Sequence, residues 1–405
     1  MIIVGGGYAG TTCAVELARR MRPEDGIEII IVEPNACQQA LSELDLVAVG
    51  PPRPDFCELW YPKVFGGLPV TMCYNRVADV HSTAHEVVLG NWDGERVGYW
   101  RLVLATGAVP SIPPVPGLAE HALTMWSVAD AQELQRRTAE LFKRVAKIAD
   151  RDERRRLLTF AVIGGGATGV EIMGTLAQLL PKRLREDGLD RSDLTMSLIE
   201  GRSDILYDLP AIQRQRAVRR FNRMGVDVVA GSPIAGVTDS AVTLEDGREV
   251  PASVVVVATG AKADPHAMDW GLEAAHTGRI LVNEYLKAPG LDDVYVIGDV
   301  AHAQDPKSDR ILPMLAQMAI QEGPYVGAGI VREARGEALE PFVPHMRGEF
   351  VSIGPRWGVG WMFGTNLTGL PAIFMKRVTY VKYWLQVGGV PLAWKRTVEM
   401  LSMGW

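Results

Sequence analysis

Two glycine-rich loops constrain this chain more than anything else in it. MIIVGGGYAG opens the sequence, and AVIGGGATGVEI, residues 161 to 172, repeats its spacing, so that Gly5, Gly7 and Gly10 are matched by Gly164, Gly166 and Gly169. A bare GxGxxG is weak evidence because glycine turns are common. Here each copy has a context. The apolar run Met1 to Val4 precedes the first loop, a helical pattern from Thr11 to Met21 follows it, and a second apolar run, Ile27 to Val32, ends on Glu33. The second copy reads the same way, with Leu157 to Ile163, then Val170 to Leu180, then Leu194 to Ile199 ending on Glu200.

Strand, glycine turn, helix, strand and acid make the dinucleotide-binding βαβ unit. The first glycine of each triplet permits the tight turn, the second lets the backbone approach a pyrophosphate, and the third lets helix and strand pack closely. The helix N-terminus presents unpaired N–H groups to the anion. Glu33 and Glu200 stand where a carboxylate accepts hydrogen bonds from a ribose. At Glu200 that chemistry favours NADH over NADPH, whose extra phosphate a carboxylate repels, although Arg202 two residues on softens the preference.

The duplication reaches beyond the loops. Asp93-Gly94 precedes Ala105, Thr106 and Gly107, and Asp246-Gly247 precedes Ala258, Thr259 and Gly260 with the same spacing. Each Asp-Gly pair is a hairpin turn signal, followed by a strand closing on Ala-Thr-Gly. Two copies of one nucleotide unit imply two dinucleotides held together, and transfer between them is the chemistry this permits. A chain of 405 residues has room for two or three domains. A net charge of −6 gives no basic footprint for nucleic acid. No run approaches the roughly 18 apolar residues of a spanning helix, and the N-terminus lacks the pattern of a secretory signal. The four cysteines, Cys13, Cys37, Cys57 and Cys73, have no CxxC spacing and read as free thiols. His81 and His85 lie in a hairpin region rather than on one helix face, so no metal site is expected.

With these motifs the chain resembles the two-dinucleotide flavoprotein oxidoreductases. The resemblance implies a doubly wound α/β fold with two Rossmann-like domains, FAD on the first loop and NADH on the second. DDVYVIGDVA, residues 292 to 301, is similar to the family's third signature, in which Asp299 faces the flavin's ribityl chain. No cysteine pair suits a disulfide reductase, and Cys37 does not sit in the pattern of the single-cysteine relatives. PMLAQMAIQEG, residues 313 to 323, resembles the Ala-Gln-x-Ala-x-Gln segment of type II NADH dehydrogenases, with Ala316, Gln317, Ala319 and Gln321 matching. Gln317 and Gln321 share a helix face, and the resemblance places a quinone there. Glu171 matches a family acid near the nicotinamide; a carboxylate stabilised by its helix N-terminus is the competing reading. The expected ranges are 1 to 115 and 262 to 345 for the FAD domain, 116 to 261 for the NADH domain, and 346 to 405 for a C-terminal segment.

That segment places Phe374, Val378, Val381 and Leu385 on one apolar face, and a second pattern runs from Pro391 to Met403. Residues 371 to 405 carry five basic side chains against one acidic. The pattern suits an interfacial helix on an anionic leaflet, with a homodimer interface or a core-packing helix as the alternatives. The expected activity is hydride transfer from NADH to flavin, then electron transfer to a membrane quinone at the cytoplasmic side of the cell membrane, without proton pumping. The alternatives are a soluble NADH-dependent reductase serving a small redox protein, and a flavin-binding redox sensor.

Overall fold

A computed structural model describes residues 1 to 49, 54 to 90 and 93 to 402. Two five-stranded parallel sheets dominate it. The first contains β1 (Ile2–Val4), β2 (Ile29–Val32), β3 (Val70–Cys73), β4 (Leu102–Leu104) and, from much later in the chain, Val294–Val296. Its order runs from Val294–Val296 through β4, β1 and β2 to β3. The second contains β5 (Ala122–Thr124), β6 (Thr159–Ile163), β7 (Thr195–Glu200), β8 (Asp227–Ala230) and β9 (Val254–Val257), ordered β5, β9, β6, β7, β8. Ile2 pairs with both Ile30 and Leu102, and Phe160 with both Met196 and Val254. The two central strands therefore occupy equivalent places. Both are buried along their whole length and apolar except for Thr159 at the start of β6, as suits strands covered on both faces.

The duplication extends to the antiparallel additions. Val77–His81, Glu86–Leu89 and Arg96–Gly98 form a three-stranded meander before β4, and Ile234–Val237, Ala241–Leu244 and Glu249–Pro251 form another before β9. Gly94 and Gly247 take positive φ, 56° and 83°, in the turns that their Asp-Gly pairs mark.

Helix α1 (Tyr8–Arg20) starts directly after Gly7, and α2 (Ala167–Glu186) directly after Gly166. Both begin three residues earlier than their apolar periodicity suggests. The glycines take extended backbone conformations and cap without a side chain, so the first turn carries no periodic apolar signal. A Cβ on Gly10 would lie 2.0 Å from the Gly5 carbonyl oxygen, and one on Gly169 would lie 1.9 Å from that of Gly164. Only glycine permits this approach of helix to loop.

Helix α3 (Ala316–Ala334) packs along α1, where Gly323 and Gly327 bring the backbones together: a Cβ on Gly323 would lie 2.4 Å from the Ala9 carbonyl oxygen. A three-stranded antiparallel sheet, Gly348–Ser352, Gly358–Met362 and Thr365–Thr368, follows, and then α4 (Leu370–Ser402). Gly389 breaks the helical backbone of α4 with φ 66° and ψ −165°, two residues before Pro391. Met403, the end of the second C-terminal pattern, lies outside the described residues.

Helix α4 buries one side and exposes the other. Ile373, Tyr383, Trp384 and Val387 face inward, while Phe374, Val378 and Leu385 face out together with Val390, Trp394, Val398 and Leu401. The basic side chains divide as well. Arg396 is buried, donating to the carbonyls of Asp55 and Glu58, and Lys376 points to Glu171, whereas Lys382 and Lys395 remain exposed. Among the described residues no helix is long and apolar enough to cross a membrane.

Candidate functional site

The strand that follows each Ala-Thr-Gly turn meets its counterpart from the other unit. Ala108–Pro110 pairs antiparallel with Ala261–Ala263, the N–H of Ser111 donates to the Gly260 carbonyl (2.9 Å), and Thr259 Oγ1 donates to the Ser111 carbonyl (2.6 Å). This cross-pairing brings the carboxyl ends of both parallel sheets to one place, where open α/β sheets bind ligands. A cleft of about 900 Å³ opens there.

Of the residues singled out from the sequence, Gly5, Gly7, Glu33, Ala105, Thr106, Gly107, Gly260, Asp299 and Ala316 wall this cleft. Gly10, Gly164, Gly166, Gly169 and Glu200 do not line it, and from the second unit Thr168, Arg202, Asp208, Ala258 and Thr259 do. Tyr8, Met125, Trp126, Met314 and Leu315, which no sequence motif singles out, also line it. Met125 and Trp126 follow the carboxyl end of β5. Their strand-end position was the available signal, hidden by the shortness of the strand.

The glycine loops are built to receive an anion. Gly5 has φ +100° and its Cβ would strike the Ala105 carbonyl oxygen at 2.3 Å; Gly164 has φ +116° and would strike that of Ala258 at 2.2 Å. Gly7 and Gly166 face open space, with no side chain capping the helix N-termini behind them. Each acid also secures its own loop. Glu33 Oε2 accepts from the N–H of Gly6 (2.9 Å) and its Oε1 from the N–H of Asn35 (2.9 Å), while Glu200 Oε2 accepts from Gly165 (2.6 Å) and its Oε1 from Arg202 (2.8 Å). The Arg202 guanidinium lies over the Tyr207 ring, 5.2 Å from its centre.

These features fit a dinucleotide such as FAD on the first unit. The Thr106 hydroxyl is buried on the cleft wall without a partner, an arrangement that costs free energy unless a ligand satisfies it. Asp299 is held above the usual carboxylate range by burial, offset in part by the Arg279 charge.

The remaining expected residues lie elsewhere. Gln321 donates to the carbonyls of Gln317 (2.8 Å) and His345 (3.2 Å) and accepts from the His345 N–H (3.0 Å). Gln317, with its amide oriented to satisfy both neighbours, donates to the Gly348 carbonyl and accepts from the Arg347 N–H, each at 3.1 Å. The two glutamines thus clasp residues 345 to 348. Glu171 accepts from the Ser352 N–H (2.9 Å) and hydroxyl (3.2 Å) and is paired with Lys376 of α4. Beside that pair lies a small cavity bordered by Asp45, Ser352, Lys376 and Tyr380. Helix α4 reaches the cleft wall too: Tyr383 packs edge-on against Tyr8 with ring centres 4.9 Å apart, and the Tyr380 hydroxyl donates to the Ser42 carbonyl (3.3 Å).

All four cysteines are free and none lines the cleft. No group of His, Cys, Asp and Glu among the described residues is arranged to hold a metal ion.

Residues 1–323 match the family described as pyridine nucleotide-disulphide oxidoreductase. The chain belongs to that family. Membership makes it an oxidoreductase, and the expected cofactors, FAD and NADH, are those of its two nucleotide units. Relatives include proteins named type II NADH:quinone oxidoreductase from Staphylococcus aureus, 28% identical over 403 residues, and from Staphylococcus epidermidis, 26% identical over 401 residues. Each alignment covers 98% of this chain and 98% of the relative, so the resemblance read from the glycine and glutamine motifs is borne out. Among solved structures, NDH2 from Plasmodium falciparum in complex with NADH superposes with a TM-score of 0.86 at 14% identity, covering 100% of this chain and 98% of that one. The sulfide:quinone oxidoreductase of Aquifex aeolicus superposes with a TM-score of 0.79 at 17% identity, covering 99% and 94%. The family fold, two Rossmann-like units with a C-terminal helical segment, is the one expected.

Proposed function

We propose that this family member is a type II NADH:quinone oxidoreductase, passing electrons from NADH through FAD to a membrane quinone without proton pumping. The observation that carries the reading is one cleft walled by the Ala-Thr-Gly turns of both nucleotide units. The relatives' shared name supports the quinone as acceptor. In this reading residues 1 to 115 and 262 to 345 serve FAD, residues 116 to 261 serve NADH, and residues 346 to 405 form the membrane-associating segment.

FAD, when bound, supplies two-electron exchange between the nicotinamide and the quinone. The chain's own residues bind, orient and exclude water. Gly5, Gly7 and the α1 N-terminus receive the pyrophosphate of the first dinucleotide, and Gly164, Gly166 and the α2 N-terminus that of the second, with Gly10 and Gly169 holding helix and loop together. Glu33 and Glu200 keep lone pairs for a ribose while securing their own loops. Ala105, Thr106 and Gly107 shape the cleft floor, Thr106 with its unpartnered hydroxyl, opposite Gly260 of the other unit. Asp299 offers its carboxylate, and Ala316 and Ala319 leave space for a flat ring. Orientation rather than side-chain acid–base work governs the first transfer.

Reducing a quinone to a quinol takes up two protons, and the acceptor side holds the groups for it. Gln317 and Gln321 fix the 345 to 348 segment; Gln321 commits both amide hydrogens to the Gln317 and His345 carbonyls, so a quinone carbonyl has to displace one of them, whereas the Gln317 amide commits one to the Gly348 carbonyl. Glu171, expected near the nicotinamide, lies outside the cleft lining and is joined to Lys376; in this reading it transfers a proton from the α4 side. The exposed stripe of α4, with Trp394 72% and Phe374 65% accessible, lies on the anionic cytoplasmic leaflet with Lys382 and Lys395 beside it.

Anaerobic rapid mixing tests the scheme. NADH is expected to bleach the flavin band, and a ubiquinone or menaquinone analogue to restore it. Failure of NADH to bleach it sinks the proposal. Restoration by a small iron–sulfur protein but by no quinone assigns the chain to the soluble reductases instead.

A further inference from the structure

Behind the cleft wall at Gly298 and Asp299 lies a carboxylate that the scheme above leaves unused. Glu322 is 2% exposed, on the stripe of α3 that includes buried Met318 and Val326. Its Oε2 accepts a hydrogen bond from the Gly298 N–H at 2.5 Å. Gly298 takes φ +75° and lines the cleft beside Asp299. Arg279, 7% exposed, donates to the Leu312 carbonyl at 2.8 Å and faces both Glu322 and Asp299.

Burial pushes the Glu322 pKa up to about 7, against the opposing pull of the Gly298 hydrogen bond and the Arg279 charge, with Asp299 adding to the rise. Placing a carboxyl there therefore costs stability. Its neighbours at four-residue spacing on the helix, Met318 and Val326, are apolar and buried, so Glu322 is the charged group of this stripe. What the group does is local: it fixes the one N–H that sets the left-handed turn carrying Asp299. Gly298 has little steric preference of its own, so without the acceptor this turn samples other conformations.

We propose that Glu322 is a positioning residue of the cofactor site, holding the Gly298–Asp299 turn so that the Asp299 carboxylate is preorganised in the cleft. The proposal rests on the reading that this cleft holds FAD. It deepens that reading by assigning part of the affinity to a residue outside the cleft lining.

Apoprotein titrated with FAD, followed by flavin fluorescence and near-ultraviolet circular dichroism, provides the test with three variants. Glu322→Gln retains the acceptor and the volume, and FAD affinity is expected within about threefold of the unmodified protein. Glu322→Leu leaves the Gly298 N–H unpaired, and a loss of about tenfold or more is expected, the size of effect an orphaned buried donor produces. Because Glu322 acts through Asp299, combining Glu322→Leu with Asp299→Ala is expected to weaken binding no further than Asp299→Ala alone. Additive losses overturn the proposal, as does a Leu variant that binds like the parent or a Gln variant that loses FAD tenfold. If the Leu chain does not fold, Glu322→Met, which also removes the acceptor but adapts to the space, is used alone and with Asp299→Ala under the same additivity criterion. If the unmodified apoprotein takes up no FAD, it is the function proposed above that fails.

Discussion

Replacing Lys376 by Met isolates the tie between the C-terminal helix and the second nucleotide unit. Lys376 and Glu171 have side chains only 13% and 12% accessible, and Lys376 also donates to the Ser352 hydroxyl at 3.0 Å. Removing one partner of such a pair strands the other charge, at a cost of about 3–5 kcal/mol. Removing both is milder. Glu171→Gln still accepts from the Ser352 N–H, so the double variant is expected to recover all but about 1 kcal/mol of the loss. Urea unfolding of parent, single and double variants, monitored by tryptophan fluorescence and by flavin release, measures the coupling. Destabilisations that simply add refute the argument that the pair is buried and mutually dependent. The same cycle separates structure from chemistry. If Glu171 relays a proton to the quinone, the restored double variant still reoxidises at least about a hundredfold slowly with quinone, while NADH bleaches its flavin at the normal rate. Normal reoxidation in a stable double variant reduces Glu171 to an anchor for α4.

Three further tests follow from the geometry. Gly7→Ala and Gly166→Ala place a methyl in open space, so apoprotein stability is expected unchanged while FAD affinity falls in the first and NADH affinity in the second; unchanged affinities show that no pyrophosphate lies there. Glu43, fully buried, has its pKa raised by burial from 4.5 to about 8, with Arg396 and Lys376 opposing the rise. Its protonated form is therefore favoured by folding: the contribution is complete below pH 4.5, falls as pH rises and is exhausted by about pH 8, at about 1.4 kcal/mol per pH unit and no more than about 5 kcal/mol in all. Glu43→Gln is expected to flatten that part of the stability–pH curve, and an unaltered slope in urea titrations contradicts the assignment. Phe374→Glu with Trp394→Glu removes two apolar anchors worth roughly 1.5–3 kcal/mol each, so sedimentation with vesicles containing anionic lipid is expected to drop more than tenfold. An undiminished vesicle-bound fraction, or a monomer where the parent is a dimer, moves the α4 face from membrane to subunit interface.

How much of this was legible beforehand depends on how local the cause is. The roles of Gly5 and Gly10 are consequences of a turn and a helix start within ten residues, and the close approaches in the structure are those that the spacing demands. The placement of Met125 and Trp126 at the cleft was hidden because it depends on β5 joining a sheet whose other strands lie later in the chain. Helix α4 shows the same limit. Its sequence is apolar on two sides, so periodicity groups Phe374, Val378, Val381 and Leu385 on one face, whereas Val381 is partly buried against the core and Tyr383, Trp384 and Val387 form the side that packs inward. Of the five basic residues near the C-terminus, Lys376 and Arg396 proved to be internal partners, which leaves the electrostatic attraction to a leaflet to fewer charges than the sequence count suggests.

The acids sharpen the point. Their place at a strand end marks Glu33 and Glu200 as ribose acceptors, yet each also receives an N–H from the glycine loop of its own unit. A carboxylate that secures the loop and meets the ligand couples the two tasks, because the loop cannot open without freeing the acid. Substituting either acid is thus expected to disturb pyrophosphate and ribose contacts together. Glu33→Gln, which keeps an acceptor for the Gly6 N–H, should lose less FAD affinity than Glu33→Ala, and equal losses in isothermal titration would place all of the effect at the ribose. The duplicated design predicts the same ordering for NADH at Glu200, measured independently in the other half of the chain.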